Sequence, residues 1–268
     1  MVRIRLPYPA LLLALAPAAA GAQADPAVSP ICTDRPTKAN VTCTVPAGRV
    51  QVESDVASWT TNSDDGVHTD VVLYTNPTVK LGLDNNTDLE ANIAPIVSVR
   101  TRTAEGVERR TGPGDLNVRL KHRVTGPAAA AQVALIPFVK APTARRGIGN
   151  REWEGGLVIP VQFALAQGVT LTFGPEVDVL ADGDGRSHHV QLVGLANVSK
   201  ALTPRLTAYA ELWTAQNFEP AGTVRQYSAD AALAYLLTPT LQIDMGANFD
   251  LNRATPDAQL YAGVSTRF

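Results

Sequence analysis

The run Leu241-Gln242-Ile243-Asp244-Met245-Gly246-Ala247-Asn248-Phe249-Asp250-Leu251-Asn252 alternates apolar and polar positions without a break. Successive side chains of a strand point to opposite faces. Leu241, Ile243, Met245, Ala247, Phe249 and Leu251 therefore share an oily face, and Gln242, Asp244, Asn248 and Asp250 a wet one. The same reading recurs along the chain. Val169, Leu171, Phe173, Val177 and Val179 oppose Thr170, Thr172, Glu176 and Asp178, and Leu116, Val118 and Leu120 oppose Asp115, Asn117, Arg119, Lys121 and Arg123. Leu206, Ala208, Ala210 and Leu212 oppose Arg205, Thr207, Tyr209 and Glu211, while Val50, Val52 and Val56 oppose Arg49, Gln51, Glu53 and Asp55. No segment keeps a helical period over ten or more residues.

Twelve strands are predicted, near 47–60, 67–83, 87–100, 114–125, 131–141, 152–165, 169–181, 187–200, 204–217, 222–237, 240–252 and 257–268. Every second connection reads as a tight turn: Asp84-Asn85-Asn86, Gly126-Pro127, Gln167-Gly168, Thr203-Pro204 and Thr238-Pro239. The connections between them read as longer and polar: Asn62 to Gly66, Arg102 to Pro113, Pro142 to Arg151, Asp182 to Arg186, and Asn252 to Pro256. Short turns on one side and long loops on the other are the asymmetry of outer-membrane barrels. A soluble β-sandwich shares the alternation but has no reason to sort its loops by parity, and its apolar faces would have to meet each other. The expectation is an all-β, transmembrane antiparallel β-barrel of about 12 strands. Pro95, Pro137, Pro160 and Pro175 fall inside proposed strands, where proline removes a ladder hydrogen bond, so they should mark bulges or strand ends.

The N-terminus fits that compartment. Arg3 and Arg5 precede the apolar run Ala10 to Ala16, and Ala22-Gln23-Ala24 follows. This is the order of a cleaved secretory signal, predicted over residues 1–24. No later run of 18 apolar residues remains to form a helical span. Residues 25–46 read as a periplasmic N-terminal segment, in which Cys32 and Cys43 pair as a disulfide under oxidising conditions, and residues 47–268 as the barrel. The formal net charge is only -2, which argues against a nucleic-acid partner. The expected surroundings are the lipid of a bacterial outer membrane.

The polar faces hold the candidate site. Arg49, Glu53, Asp55, Glu90, Asp115, Arg119, Lys121, Arg123, Glu176, Asp178, Arg205, Glu211, Asp230, Asp244 and Asp250 are expected to point into the lumen. Charges of both signs in a narrow low-dielectric space pair, because an unpaired buried charge costs several kcal/mol. Two readings stand: a salt-bridge network that holds the barrel shut, or a polar path for a small solute. Twelve strands lie between filled eight-stranded barrels and open porins. Trp59, Trp153, Trp213, Tyr74, Tyr209, Tyr227, Tyr235, Tyr261 and Phe268 mostly fall near strand ends, as interfacial girdles do.

Catalysis is not expected. His68 and the pair His188-His189 belong in or beside outward loops, His122 on the lipid side of its strand, and Ser187 next to His188 is too generic to mark a nucleophile. Asp182-Gly183-Asp184-Gly185 lacks the further oxygens of a calcium loop and reads as a turn. Neither a cofactor nor a metal is expected.

Four stretches carry a resemblance. These are Thr33-Asp34-Arg35-Pro36-Thr37, Val45-Pro46-Ala47-Gly48-Arg49-Val50-Gln51-Val52-Glu53, Gly112-Pro113-Gly114-Asp115-Leu116, and Val139-Lys140-Ala141-Pro142-Thr143 with Gly147-Ile148-Gly149-Asn150. In that order they resemble the outer-membrane transporter family of the phenol-degradation (meta-pathway) type. The resemblance implies a small barrel that passes small solutes, hydrophobic or aromatic catabolites among them. A terminal strand ending at Phe268 resembles the signal read by the barrel assembly machinery, an expected partner. Two other functions compete with a channel: an enzyme built on an outer-membrane barrel, and a soluble periplasmic β-protein that binds a ligand.

Overall fold

The computed structural model describes residues 29–268; the signal segment expected over residues 1–24 lies outside the described residues. Seventeen hydrogen-bonded segments form twelve antiparallel spans, five of them interrupted. They are β1 (Val50–Asp64), β2 (Val67–Tyr74 and Thr78–Gly82), β3 (Thr87–Asn92 and Ile96–Thr103), β4 (Gly106–Gly112 and Leu116–Arg123), β5 (Gln132–Ala141) and β6 (Glu154–Val158 and Val161–Ala164). Then follow β7 (Val169–Phe173 and Glu176–Ala181), β8 (His188–Ala201), β9 (Leu206–Asn217), β10 (Val224–Thr238), β11 (Leu241–Asp250) and β12 (Ala258–Arg267). Each span pairs with the next, and β12 returns to β1 from Gln51↔Arg267 to Thr61↔Ala258. Closure leaves no sheet edge, the condition for strands to cross hydrocarbon.

The alternation lands as read. In β11 Met245 is 60% and Phe249 52% exposed on the outside, while Gln242, Asp244 and Asn248 are buried within. An outer surface this apolar belongs against lipid. No helix among the described residues is long and apolar enough to cross a membrane.

Proline explains the interruptions. Pro95, Pro160 and Pro175 sit in the gaps that split β3, β6 and β7, and Pro77 and Pro113 do the same in β2 and β4. Bridging backbone bonds keep the wall continuous there, such as Gly114 N–H to the Ala94 carbonyl at 2.8 Å and Ile159 N–H to Pro175 at 2.9 Å. Pro137 instead stays within β5, where the ladder to β4 skips from Arg119↔Phe138 to His122↔Leu135.

The connections depart from strict parity. Asp65-Gly66 is a two-residue turn with positive φ at both positions, a hairpin geometry rather than a loop. The segment Arg102 to Pro113, expected as a long loop, is largely strand: Ile96–Thr103 pairs with Gly106–Gly112 across a tight turn at Ala104-Glu105. On the opposite side, the link around Gly126-Pro127 runs from 124 to 131 and is not tight. The longest outward connection is 142–153, between β5 and β6.

Residues 29–46 form no strand, yet they are not free of the barrel. Ile31 N–H donates to the Pro239 carbonyl at 2.7 Å, and Val45 N–H donates to Asp88 at 2.8 Å. Both contacts lie at the end where β1 begins and β12 finishes, the periplasmic end in barrels of this kind. Between them the segment runs up inside the barrel and back.

Candidate functional site

The Cys32–Cys43 disulfide closes the base of this excursion, so residues 33–42 form a stapled loop in the lumen. Its return path is made by an absent side chain. A Cβ on Gly82 would lie 2.1 Å from the Pro46 carbonyl oxygen. At the base, Thr42 is buried and its hydroxyl contacts Gln132 and Gln162 of the wall at 3.1 and 2.9 Å.

Arg35 occupies a seat built across three strands. Asp55 of β1 and Asp244 of β11 are both register partners of Gly263 in β12. The guanidinium lies over that glycine, where a Cβ would stand 2.1 Å from Nη2. It donates to Asp55 at 2.6 Å and to Asp244 at 2.7 Å, with the Tyr261 ring 5.8 Å away. A planar fork between two carboxylates suits arginine better than lysine.

Asp34 makes the opposite pairing, a plug carboxylate among wall cations. It meets Lys121 at 2.7 Å and also bonds Lys80, whose ammonium lies 2.7 Å from Glu53. Burial opposes its charge, but Lys121, Lys80 and Arg119 prevail and hold the Asp34 carboxyl well below the usual range. Lys38 bonds Asp230 and Ser228 and lies 5.1 Å from the Trp213 ring centre.

Wall carboxylates also satisfy the backbone of the loop. Glu53 accepts from the N–H groups of Asp34 and Arg35 at 3.0 and 3.3 Å. Glu211 accepts from those of Lys38 and Ala39 at 3.1 and 3.0 Å, and from Asn197 at 3.1 Å. An irregular segment in a low-dielectric interior needs such partners.

Of the residues singled out from sequence, Glu53, Asp55, Arg119, Lys121, Glu211, Asp230 and Asp244 meet the loop directly. Glu90 lies behind them, 3.5 Å from Lys80, Lys121 and Arg119. Asp115 holds the 142–153 connection through Ala144 N–H at 2.8 Å, and Arg123 holds the Asn85-Asn86 turn. Asp178 accepts from Gln191 at 2.9 Å, beside Glu176. Arg49, Arg205 and Asp250 are exposed at strand ends and take no part in the network. Trp213 and Tyr261 face the plug cations instead of a girdle, because their positions share the parity of the polar row.

Sequence reasoning missed the partners inside the loop: Asp34, Arg35, Lys38 and Asn40. Three charges packed between two cysteines, with few apolar residues, were the available signal. Glycines on a polar strand face, such as Gly263, were another.

Cavities remain around the loop. One of 330 Å³ is lined by Asn40, Asn76, Asn92, Asn117, Arg119 and Glu176, with Phe138 as its aromatic wall. It shares Asn40, Asn76, Thr78 and Arg119 with a second of 190 Å³. That one shares Arg35, Thr37 and Lys38 with a third of 150 Å³. The third meets a fourth, of 230 Å³, at Lys38, Asn248 and Gln259. The crevices thus follow one another around the loop.

On the outer face of the β1–β2 hairpin, Ser63 Oγ lies 2.7 Å from His68 Nδ1, and His68 Nε2 lies 3.3 Å from Asp70. Asp70 also accepts from Trp59 at 3.1 Å and Arg102 at 3.3 Å, so it serves as the anchor of an interfacial tryptophan.

A search of curated proteins gives no match. Among solved structures the chain is similar to the COG4313 outer membrane channel from Pseudomonas putida F1, at 14% identity and a TM-score of 0.67, covering 85% of this chain and 98% of that one. It is also similar to the NanC porin, at 11% identity and a TM-score of 0.53, covering 81% and 98%. At such identities the likeness is one of fold, and with the closed sheet and oily exterior it makes this an outer-membrane β-barrel. The family model described as "Putative MetA-pathway of phenol degradation" matches residues 33–268, and the chain belongs to that family.

Proposed function

We propose that this protein is an outer-membrane channel for small polar solutes, restricted by its own N-terminal loop. The observation that carries the reading is the series of crevices between the loop and the wall, each sharing lining residues with the next. The first is rich in amide groups, with Arg119 and Glu176 as its charges and Phe138 as its aromatic face, and the other two add Arg35, Lys38 and the carboxylates Asp34, Glu53 and Asp55. Such a lining exchanges hydrogen bonds with a solute that sheds water, as a selective pore requires. Membership of a family described by phenol degradation favours hydroxylated or acidic monoaromatics among the solutes. The lumenal charges predicted from sequence serve first to hold the loop and only secondarily to line the path.

The protein carries no catalytic role in this reading. Phe268 is proposed as the feature read by the assembly machinery: it is exposed, and its N–H donates to the Val50 carbonyl at 2.8 Å where the barrel closes. Liposome swelling tests the channel. Vesicles holding the protein should admit benzoate-sized solutes faster than empty vesicles and exclude trisaccharides. Equal rates with and without protein would overturn the reading.

A further inference from the structure

At the mouth opposite the start of β1, the strand β8 and the connections that leave β7 and β9 place one side chain each at neighbouring positions. Leu180 of β7 pairs with His189 of β8, so Asp182 follows two residues on along the same face. Gln191 pairs with Asn217 of β9, and Phe218 N–H continues to the Val190 carbonyl, which brings Glu219 beside His189. Asp182 Oδ1 lies 2.8 Å and Glu219 Oε2 3.3 Å from the same His189 Nδ1. All three donor atoms fall within 4.8 Å of one another.

We infer that Asp182, His189 and Glu219 form a binding site for a divalent transition-metal ion of the Zn²⁺ class. A single ring N–H can satisfy one carboxylate, yet two converge on this nitrogen. Among the described residues their ion pairs are with His189 alone, and no Lys or Arg lies within ion-pair distance of either carboxylate. The His189 side chain is only 6% exposed, and its Nε2 is buried with no hydrogen-bond partner among the described residues, so the ring is held there through Nδ1. Glu219 is steadied from behind, its Oε1 accepting from Gly183 N–H at 3.2 Å and leaving Oε2 turned to the cluster. One imidazole and two carboxylates suit Zn²⁺ and its neighbours, whereas Ca²⁺ and Mg²⁺ take oxygen ligands alone. A bound ion would tie the β7–β8 and β9–β10 connections together at the mouth.

Calorimetric titration of the chelator-stripped, detergent-purified full chain with Zn²⁺ tests this. One equivalent should bind with micromolar affinity. His189→Gln and Asp182→Asn should each weaken binding by more than the roughly 10–100-fold that loss of an outer-shell partner costs. A heat-dependent gel shift for each variant shows that its barrel is folded. Absence of Zn²⁺ binding below millimolar concentration, or equal affinity in a folded His189→Gln variant, would overturn the assignment. So would Ca²⁺ binding as tightly as Zn²⁺.

Discussion

Arg35 shows how a single residue depends on what its neighbours lack. Its guanidinium reaches Asp55 and Asp244 because Gly263, between them in register, has no side chain. Gly263→Val should therefore dislodge Arg35 while leaving the barrel closed. The expected result is a several-fold rise in conductance with an unchanged heat-dependent gel shift, and equal conductance would deny the seat its role. Asp34 is the reciprocal case. Asp34→Ala leaves Lys80 and Lys121, both almost fully buried, short of a partner. Breaking such a buried pair costs about 3 kcal/mol or more. The midpoint of urea unfolding in vesicles should fall accordingly, and an unshifted midpoint would show that Glu53 and Glu90 suffice for the lysines. In the sequence Asp34 and Arg35 stand out only as part of a motif. Their partners lie far along the chain, and no local period reports a contact between residues 35 and 244.

Among the elements, legibility followed the solvent. β11 was plain because one face meets lipid and the other the lumen, so its alternation is complete. The outward part of the β3–β4 hairpin was read as a loop because Val107, Glu108, Arg109 and Arg110 are exposed on both faces. Beyond the bilayer neither side of a ribbon needs to be oily, and the period that betrays a strand disappears. That hairpin should accept a short epitope between Ala104 and Glu105 and display it to antibody on intact cells. A folded but unlabelled protein would mean the opposite orientation. The lumenal loop has no period either, and the staple defines it. Joining Cys32 to Cys43 closes a loop near the size for which a disulfide contributes about 3 kcal/mol. The Cys32→Ser, Cys43→Ser double variant should keep its barrel but become cleavable by protease within 33–42. Resistance equal to that of the wild type would show that the ion pairs alone hold the loop.

At the scale of the molecule, a twelve-stranded barrel encloses more room than its wall side chains fill. Here the stapled loop 33–42 takes up part of that room. The wall offers carboxylates to the loop's cations and backbone amides, and lysines to its one deeply paired carboxylate. The ion pairs fasten a plug, and the crevices beside it are the proposed path. Most of the barrel could be read from alternation. The plug could not, because nothing local distinguishes a polar segment that enters a lumen from one that hangs in water.

The most direct test is single-channel conductance in planar bilayers, comparing the protein with a variant lacking residues 29–46. Both should first show the heat-dependent mobility of a folded barrel. A plugged barrel predicts small conductance for the intact protein and conductance several-fold larger for the shortened one. Equal conductance from two folded proteins would contradict the account, because the loop would then not limit the path through the barrel.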